Sequence, residues 1–600
     1  MYGFFNKLLW INLSNETYRY EHISDTVYRT YLGGKGLGAY LLYHYNPIGV
    51  DPFAPENLFI ITVGPATGTR TWSQSRFGAF FKSPATGGYG ESYCGGTLAP
   101  KIKGCGVDAV ILSGRAKRLS FLIVTDSSVT FSDASSLAGK ETYETEEALL
   151  SLSPPGAGGM VIGPAGENRV VCACIKSDKY RSLGRGGLGA VLGSKDVKGI
   201  SFSGSLKPEV ADDALLLELN RLIALKGKDS PVTRNYVQYG TPMQVATTNQ
   251  MHCFPSYYWK GGYLEHWKNL SADYMRENFE ISHHPCPNCF LKCTRRSTVR
   301  KGRHRGLSID GPEYETIYAL GGLNSLSSLE EVVWLNDLCD RLGLDTMSAG
   351  NLSAFTIEAH REGKVNFSID YDQPDQIAEL FRQIAFRKGV GEILGRGIRY
   401  AAEEWGLEDL AVHVKGLEPA GFEPRVLKGM GLGYAVSARG ACHLRATFYK
   451  AELSGQIDPA QIMGKAKLFI DYEDRATLFD SLILCRFFRD FFLWEELSML
   501  IRSITGMDLS KDELELLAHR ITQLTRDYNH REGLGPETDT LPPRFLEKPT
   551  QEGATLTEEE LRTLLEEYNA IHEEREKRQP AQYRLPSPSR KPFAGQAKPG

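Results

Sequence analysis

The sequence predicts an α+β protein in which a β-rich N-terminal base domain carries two mostly α-helical domains. Short β-type runs separated by glycine-rich turns fill residues 1–205. From residue 206 onward, apolar residues recur three and four positions apart, which is the period of amphipathic helices. A chain of 600 residues with 42% hydrophobic content is also long enough to bury several cores.

The base domain contains apolar runs of strand length. They are LFIITVG (58–64), FGAFFKS (77–83), DAVILSG (108–114), SFLIVTD (120–126) and VVCACIK (170–176). An earlier strand is predicted within the N-terminal segment MYGFFNKLLWINLSNETY, which lacks the cleavage site of a signal peptide. The turns between the runs favour an antiparallel or mixed sheet.

Two glycine-rich turns in the base domain resemble each other. They read GGKGLGA (33–39) and GRGGLGA (184–190), with one basic residue each, Lys35 and Arg185. The first turn, Gly33 to Gly38, lacks the G-x-G-x-x-G spacing of a dinucleotide fingerprint. A bare glycine turn is often only a turn, but the pair also fits backbone amides that cradle phosphates of a bulky cofactor. We interpret the resemblance as a sign of two related half-domains.

The helical part divides into two predicted domains and a C-terminal extension. Residues 206–415 contain ADDALLLELNRLIALKG, SLEEVVWLNDLCDRLG and PDQIAELFRQIAFRKG. Residues 416–548 contain DRATLFDSLILCRFFRDFF and KDELELLAHRITQLTRDYNHREG. Within the extension, 549–600, we expect a charged helix over 556–579 and a disordered polar tail.

Composition indicates neither a polyelectrolyte partner nor a membrane span. The formal charge is −4, from 69 basic and 73 acidic residues, so nothing recruits a nucleic acid. Eleven cysteines are too dilute for a disulfide scaffold and are typical of cytosolic thiols. No apolar run approaches the roughly 18 residues of a membrane span. We therefore expect a cytoplasmic protein without a membrane span.

A cluster of cysteines carries the strongest chemical signal. Cys286, Cys289 and Cys293 lie within eight residues, and Cys485 follows far downstream. Three thiolates in one loop with a remote fourth are typical of a cubane iron–sulfur cluster. Structural zinc, with His283 or His284 as further ligands, is the main alternative, but a second Cys-x2-Cys knuckle is lacking. Unligated thiols are the remaining alternative.

Two aspartate motifs share one spacing. Asp340 precedes Leu344-Asp345 by four residues, and Asp480 precedes Leu484-Cys485 in the same way. At a helix end, a carboxylate can accept two parallel N–H bonds from a pterin or guanine-like edge. Solvated acids on a helix surface are the alternative interpretation.

The best acid–base candidates are Glu315 and His443. Both lie between glycines and apolar residues rather than on a charged face, in GPEYETIYALG and ARGACHLR. Burial raises the pKa of a glutamate, which can then exchange protons near neutral pH. A structural histidine and an inactive glutamate are the alternative.

Taken together, these segments resemble the aldehyde:ferredoxin oxidoreductase family of tungsten bis-pterin enzymes. The resemblance covers roughly residues 3–548. It includes YLGGKGLGAYLLY, GPATGT, SRFGAFFKSPATGGY, GRGGLGAVLGSKDVKGI, CPNCFLKC, VKGLEPAGFEPR and REGLGPETDTLPPRF, together with both aspartate motifs and the acid–base segments.

The resemblance implies a role for each matched position. Cys286, Cys289, Cys293 and Cys485 would bind a [4Fe–4S] cluster. The pterin ligands would be Asp340, Leu344 and Asp345 for one pterin and Asp480 and Leu484 for the other. Contacts to the pterin phosphates would come from Arg76, Gly95, Gly96 and Arg185. The carbonyls of Tyr93 and Gly186 would bind the Mg²⁺ that bridges two phosphates, and Glu315 and His443 would lie beside the tungsten (or molybdenum).

The implied activity is oxidation of an aldehyde to a carboxylic acid. Electrons would leave through the cluster to ferredoxin or an electron-transfer subunit, and a homodimer or hetero-oligomer is possible. A related branch reduces the ring of benzoyl-CoA with a cysteine-ligated tungsten, for which Cys94 and Cys442 are the candidate ligands. A subunit that keeps only the iron–sulfur cluster is a third alternative. Tyr93-Cys94 replace the family's usual asparagine and serine, and residues 568–575 depart from its usual C-terminal segment.

Overall fold

The computed structural model describes residues 1–579 and confirms the predicted α+β class, with a β-rich first part and a helical remainder. The expected disordered tail lies outside the described residues. Along residues 1–579, no helix combines the length and apolar character needed to cross a membrane.

The first half of the base domain is a six-stranded sheet. Its strands are β1 (Lys7–Asn12), β2 (Thr17–His22), β3 (Phe59–Thr62), β4 (Phe77–Lys82), β5 (Tyr89–Cys94) and β6 (Ala109–Ser113). Their order is β2-β1-β6-β3-β4-β5, and only β1 and β6 run parallel. Three helices accompany them: α1 (Asp25–Tyr31), α2 (Gly34–Tyr45) and α3 (Leu98–Gly104).

The second half repeats this arrangement. Its strands are β7 (Ser120–Thr125), β8 (Val129–Asp133), β9 (Gly158–Val161), β10 (Ile175–Ser177), β11 (Arg181–Leu183) and β12 (Val197–Ser203), with helices α4 (Thr142–Leu152), α5 (Pro164–Glu167) and α6 (Leu188–Ser194). The order β8-β7-β12-β9-β10-β11 matches the first sheet strand for strand. Again only one neighbouring pair is parallel, and it joins β7 and β12, the strands that begin and end this half of the chain. The two halves are therefore related, as the sequence predicted.

The glycine turns that suggested the duplication are not the equivalent ones. GGKGLGA opens α2, before β3, whereas GRGGLGA follows β11 and opens α6. The counterpart of GRGGLGA is the Gly95-Gly96 turn, which follows β5 and leads into α3. Lys35 is buried, and its ammonium lies 3.5 Å from Glu91. It therefore faces a carboxylate of the first sheet.

One predicted strand is mostly absent. In VVCACIK only Ile175 begins a strand, because the backbone of 171–174 bonds elsewhere. The Val171 N–H donates to Gly395 at 2.9 Å, and Cys174 N–H donates to Gly343 at 2.9 Å. Ala173 forms an isolated bridge with Leu344. This run therefore fastens the first aspartate motif to the base domain.

The helical part begins with α7 (Asp213–Lys228), α8 (Pro231–Tyr239), α9 (Gln244–Gln250) and α10 (Ala272–Asn278). A three-stranded antiparallel sheet follows, made of β13 (Phe279–His283), β14 (Arg295–Val299) and β15 (Ser308–Asp310). Next come α11 (Tyr314–Thr316) with a π-helical turn (Ile317–Gly322), α12 (Leu329–Leu342), α13 (Thr346–Arg361), α14 (Pro374–Phe386), α15 (Gly391–Leu394) and α16 (Ile398–Trp405). The last helices are α17 (Lys428–Val436), α18 (Tyr449–Leu453), α19 (Lys465–Leu482), α20 (Trp494–Thr505), α21 (Lys511–Arg531), α22 (Pro543–Glu547) and α23 (Glu558–Arg578).

Three large cores hold these layers together. One lies between the two sheets and joins residues such as Phe81 and Ile200. A second packs the other face of the first sheet against α2, α7, α19, α20 and α21. A third extends from α5 and α6 through α12 to α18 and α23, on both sides of residue 415. Apolar burial on this scale is the main favourable contribution to folding.

Helix α23, the predicted charged helix, is anchored by a buried histidine pair. His519 on α21 and His572 on α23 lie 3.0 Å apart between their Nδ1 atoms. Since a hydrogen bond between two imidazoles needs one neutral acceptor, protonation of both rings breaks it. Burial and the neighbouring His572 lower the pKa of His519 to about 3, and burial lowers the pKa of His572 as well.

We predict that this pair makes the protein less stable in acid. Both folded-state pKa values lie below the unfolded value of about 6.5, so the unfolded chain binds more protons and stability falls as pH drops below about 6.5. The thermal midpoint, measured between about pH 7.5 and pH 5, should fall less in His519→Gln than in the wild type. His22→Gln, at an exposed position, is the control. Equal slopes in all three proteins would contradict the prediction.

Candidate functional site

A cavity of about 380 Å³ lies between the base domain and the helical part. Its wall contains twelve of the predicted site residues, which come from distant parts of the chain. They are Arg76, Tyr93, Gly95, Cys286, Cys289, Cys293, Glu315, Asp340, Leu344, Asp345, His443 and Cys485. The other five predicted residues do not line it; they are Gly96, Arg185, Gly186, Asp480 and Leu484.

The four predicted cluster cysteines share one region of the cavity. Cys286, Cys289 and Cys293 lie in the loop between β13 and β14, and Cys485 follows the end of α19. Ser73 connects the two segments, because its N–H donates to Asn288 at 2.8 Å while its carbonyl accepts from Cys485 N–H at 3.0 Å. Ser75 Oγ donates to the Pro287 carbonyl at 2.7 Å. The base domain thus holds both thiol-bearing segments in place.

The thiols are close enough to affect one another. Burial, followed by the neighbouring Cys485, raises the pKa of Cys289 to about 12. Burial, Glu313 and the other three cysteines raise the pKa of Cys293 well above its usual value. All four are free thiols. Such thiols become thiolates only when a cationic centre binds them, which fits an iron–sulfur cluster. Among residues 1–579, no three His, Cys, Asp or Glu side chains lie close enough together to hold a single metal ion.

The two aspartate motifs form matching helix ends. Helix α12 ends at Leu342 and reverses through Gly343 (φ 76°), and α19 ends at Leu482 and reverses through Ile483 (φ 64°). In both, the leucine after the reversal closes the turn, since Leu344 N–H donates to Cys339 at 2.9 Å and Leu484 N–H to Phe479 at 2.8 Å. These bonds satisfy carbonyls that every helix C-terminus leaves free.

Equivalent glycines of the two sheets receive these helix ends. A Cβ on Gly163, after β9, would lie 2.5 Å from the Leu342 carbonyl oxygen, and one on Gly64, after β3, 2.5 Å from that of Leu482. The next contact is also matched. Asp345 N–H donates to Cys172 at 3.0 Å, and Cys485 N–H donates to Ser73 at 3.0 Å. The fold therefore presents the two motifs as a pseudo-symmetric pair, with Asp345 and Cys485 at equivalent positions.

The first motif is contacted by one lysine and one arginine of the base domain. Lys176 Nζ donates to Asp340 Oδ1 at 2.6 Å, and Asn336 donates to Oδ2 at 3.2 Å. Asp345 caps α13 by accepting from Met347 N–H at 3.2 Å and Ser348 N–H at 3.3 Å. Arg185 Nε lies 3.4 Å from Asp345 Oδ2. Arg185 is thus placed behind the motif, between the two parts of the molecule.

The second motif belongs to a buried charge network that the sequence did not indicate. Arg486 and Arg445 both contact the Asp480 carboxylate, at 3.0 Å from Arg486 Nε and 3.1 Å from Arg445 Nη1. Arg445 also pairs with Glu91 on β5. Burial opposes the charged form of Glu91, but Arg445 and Lys35 outweigh it and hold the pKa of that carboxyl below its usual range. Both arginines could have been suspected from their positions in the sequence, because Arg445 lies two residues after His443 and Arg486 directly after Cys485.

The cavity wall suits an anionic group with phosphates. Arg76, Arg181 and Arg486 bring guanidinium groups to it, and Nη1 of the buried Arg486 donates no hydrogen bond within residues 1–579. Two glycines also leave their backbone uncovered beside the cavity. A Cβ on Gly95 would meet only Cys286 Sγ, at 3.4 Å, and one on Gly184 only Asp345 Oδ1, at 3.7 Å. A buried N–H donor without an acceptor is costly, so the residues present fit a phosphate-bearing cofactor.

The two residues predicted to bind Mg²⁺ through their carbonyls have other contacts in the protein. The Gly186 carbonyl accepts from Ser83 Oγ at 2.7 Å. Tyr93 pairs with Gly78 across β4 and β5, and its hydroxyl donates to Glu91 at 2.7 Å. Gly96 lies directly against Asp178, whose Oδ2 would be 2.2 Å from an added Cβ. Carbonyl oxygens have two lone pairs, so a cation contact at Gly186 stays geometrically available.

Glu315 and His443 meet at one end of the cavity. Glu315 Oε1 lies 3.4 Å from His443 Nε2, and Glu315 Oε2 accepts from Gly421 N–H at 2.9 Å. Burial raises the pKa of Glu315 to about 8. Burial, with Arg439 nearby, lowers the pKa of His443 well below its usual value. Near neutral pH, the site therefore holds a protonated carboxyl beside a neutral imidazole, whose buried Nδ1 has no partner among the described residues.

The two cysteines suspected of binding tungsten point elsewhere. Cys442 Sγ accepts from Arg439 Nη2 at 2.9 Å and Leu444 N–H at 3.3 Å. Burial alone would raise the pKa of Cys442, but Arg439 and Arg445 outweigh it and lower the pKa to about 6. Cys94 Sγ contacts the Gly95 carbonyl at 3.2 Å. Neither residue lines the cavity.

Comparison with known proteins agrees with this arrangement. Two family models match, "Aldehyde ferredoxin oxidoreductase, N-terminal domain" over residues 8–204 and "Aldehyde ferredoxin oxidoreductase, domains 2 & 3" over residues 218–575. The chain belongs to the aldehyde ferredoxin oxidoreductase family. It is therefore an oxidoreductase of that type, as the sequence predicted.

Curated relatives extend over nearly the whole chain. A tungsten-containing aldehyde ferredoxin oxidoreductase from Thermococcus kodakarensis is 33% identical over 92% of this chain and 93% of its own length. The protein of that name from Pyrococcus furiosus is 32% identical over the same shares. Among solved structures, the active-site complex BamBC of benzoyl coenzyme A reductase matches with a TM-score of 0.81, 21% identity and coverage of 95% of this chain and 94% of that one. That match shows the shared fold.

We predict that substitution of either matching glycine lowers pterin content, but that only one of the two also lowers iron content. Gly163→Ala should displace the end of α12, and with it Asp340, while the cluster cysteines stay in place. Gly64→Ala should displace the end of α19, which carries both Asp480 and Cys485. The expected result, from analysis of pterin and iron per chain, is that pterin content falls in both variants and iron content only in Gly64→Ala. Overpacking of this kind typically costs about 1–3 kcal/mol, so the thermal midpoint is measured in parallel. Equal iron loss in both variants would contradict the assignment.

Proposed function

We propose that this protein oxidises an aldehyde to a carboxylic acid and passes the electrons through a [4Fe–4S] cluster to ferredoxin or a similar carrier. The observation that carries the proposal is one cavity lined by four free thiols, the first aspartate motif and the Glu315–His443 pair, with Cys485 joining the second motif to it. The names of the relatives from Thermococcus and Pyrococcus support the same activity.

The cofactor that these residues fit is a tungsten (or molybdenum) bis-pyranopterin. Asp340, Leu344 and Asp345 would hold one pterin, and Asp480 and Leu484 the other. Arg76, Gly95, Gly96 and Arg185 would contact the phosphates, and the carbonyls of Tyr93 and Gly186 would face a bridging Mg²⁺. Cys286, Cys289, Cys293 and Cys485 would ligate the cluster. When bound, the tungsten centre supplies a two-electron acceptor beside the aldehyde carbon.

The reaction converts an aldehyde and water into a carboxylic acid, two protons and two electrons. One end of the cavity must therefore orient a carbonyl and receive protons. His443, being neutral, can donate a hydrogen bond from one ring nitrogen to the aldehyde oxygen, while its Nε2 faces Glu315. The Glu315 carboxylate can accept a proton at Oε1 and exchange it with solvent. Burial of both groups strengthens these hydrogen bonds because little water competes.

The side chains also exclude water around the acid–base pair. The rings of Phe422 and Tyr449 stack at 4.0 Å between centroids, and His443 lies 6.0 Å from Phe422 and 6.1 Å from Tyr449. Tyr314 donates to the Gly421 carbonyl and so fixes the segment that binds Glu315. Because these aromatic rings surround the pair, burial is the largest cause of the pKa shifts of Glu315 and His443.

Elemental analysis of protein purified without oxygen tests the proposed function. We expect about four iron atoms and about one tungsten or molybdenum per chain, with pterin, and aldehyde-dependent reduction of a viologen dye. Iron without pterin or heavy metal would instead indicate an electron-transfer subunit. Zinc alone would overturn the cluster assignment. Full cofactors without oxidation of any aldehyde in a panel would favour the reductive alternative, a benzoyl-CoA-reductase-like subunit.

We predict a pH dependence set by Glu315. If its carboxylate is the proton acceptor, kcat/KM for an aldehyde rises with pH through a pKa near 8, because the acid form predominates below that value. Glu315→Gln should remove this limb and lower kcat/KM by roughly 10²–10⁴-fold, with iron and pterin retained. Glu280→Gln, on the exposed part of β13, is the matched control. A rising limb that persists in Glu315→Gln would exclude Glu315 as the base.

A further inference from the structure

A second cavity adjoins the first. It has a volume of about 340 Å³ and is lined by Asn235, Tyr239, Met243, Gln244, Thr247, Lys450, Leu453 and Ser454. Asn235 and Ser454 are exposed, so this outer cavity meets solvent. None of its lining residues was among the predicted site residues.

The two cavities share part of their walls. Met243 and Gln244 line both, at the point where the turn before α9 becomes the helix. On the opposite side, Tyr449 lines the inner cavity and its neighbour Lys450 the outer one, both in α18. The shared wall is therefore formed by two short helices of the helical part.

The shared wall adjoins both the acid–base pair and the cluster loop. Tyr449 stacks on Phe422 beside His443, so the α18 side of the wall borders the imidazole. On the α9 side, Met243 packs in the same core as the cluster cysteines, and a Cβ on Gly240 would lie 2.9 Å from the Cys293 carbonyl oxygen. A molecule that passes Met243 and Gln244 thus enters the inner cavity, whose wall contains His443 and Glu315.

We propose that the aldehyde enters through the outer cavity and that Met243 and Gln244 determine the size of substituent that passes. The inference rests on the proposed function for the identity of the substrate. Methionine is unbranched and has three rotatable bonds, so it can move aside at low cost for a small molecule. Gln244 adds a polar group at the same constriction. Lys450 pairs with Asp490, so the one charged side chain of the outer wall is neutralised.

Substitutions at Met243 test the proposal through a series of aldehydes of increasing size. Met243→Trp should lower kcat/KM for benzaldehyde by about tenfold or more while that for acetaldehyde changes less than about threefold, and Met243→Ala should shift the preference towards the larger aldehydes. Met463→Trp makes the same change at a position that is 72% exposed and should leave the series unaltered. A uniform loss across all aldehydes, or no change in Met243→Trp, would overturn the proposal.

A measurement without turnover separates this inference from the proposed function. The thiol introduced by Met243→Cys should react with small maleimide-type reagents and increasingly slowly with larger ones, as read by peptide mass spectrometry. The thiol introduced by Ser454→Cys, at the exposed rim, should react with all of them. This size dependence is expected even if the protein oxidises no aldehyde. Complete protection of position 243 from the smallest reagent would show that no passage exists there.

Discussion

The compensation of buried charge is the constraint on which this molecule depends. Arg445, Arg486, Asp480 and Glu91 come from three distant parts of the chain and are all nearly inaccessible to solvent. An isolated charge in such surroundings is prohibitive, so each of these side chains requires its partners to be in place. The network therefore ties β5 of the base domain to the segment after α17 and to the end of α19. It also leaves the guanidinium of Arg486 at the cavity wall, where the anionic cofactor of the proposed function would complete the balance.

A second principle is the docking of two helix ends on two copies of one sheet. Each helix ends in a left-handed reversal, each reversal packs on a glycine without room for a side chain, and each is followed by a backbone bond to the base domain. The match extends to Asp340 and Asp480, which precede the reversals by equal intervals. A helix terminus placed in this way presents a carboxylate and free backbone groups with little freedom to move. Rigid positioning of a large planar group follows from that geometry.

Much of this arrangement could be predicted from the sequence, and the rest could not for physical reasons. Period and turn signals predicted the fold class and the runs that became β3, β4, β6 and β7. Cysteine spacing grouped Cys286, Cys289 and Cys293, while the repeated Asp-x3-Leu pattern indicated that the segments around Asp340 and Asp480 are related. VVCACIK failed as a strand because its backbone partners are in residues 343 and 395, far away in sequence. The Glu91–Arg445 pair and the outer cavity depend on the same long-range packing, which local patterns do not encode.

The two matching helix ends differ in the residue that follows the leucine, and that difference determines which of them can hold an iron–sulfur cluster. The first motif ends in the carboxylate of Asp345, and the second ends in the thiol of Cys485. The backbone N–H of each residue donates an equivalent hydrogen bond to the base domain. Under the proposed function, a cluster would be ligated beside the second motif and not beside the first, because a carboxylate occupies the position where the thiol is needed. Electrons would then leave from one side of the pterin pair. Two copies of one sheet thus receive helix ends that match in backbone geometry and differ in ligand chemistry.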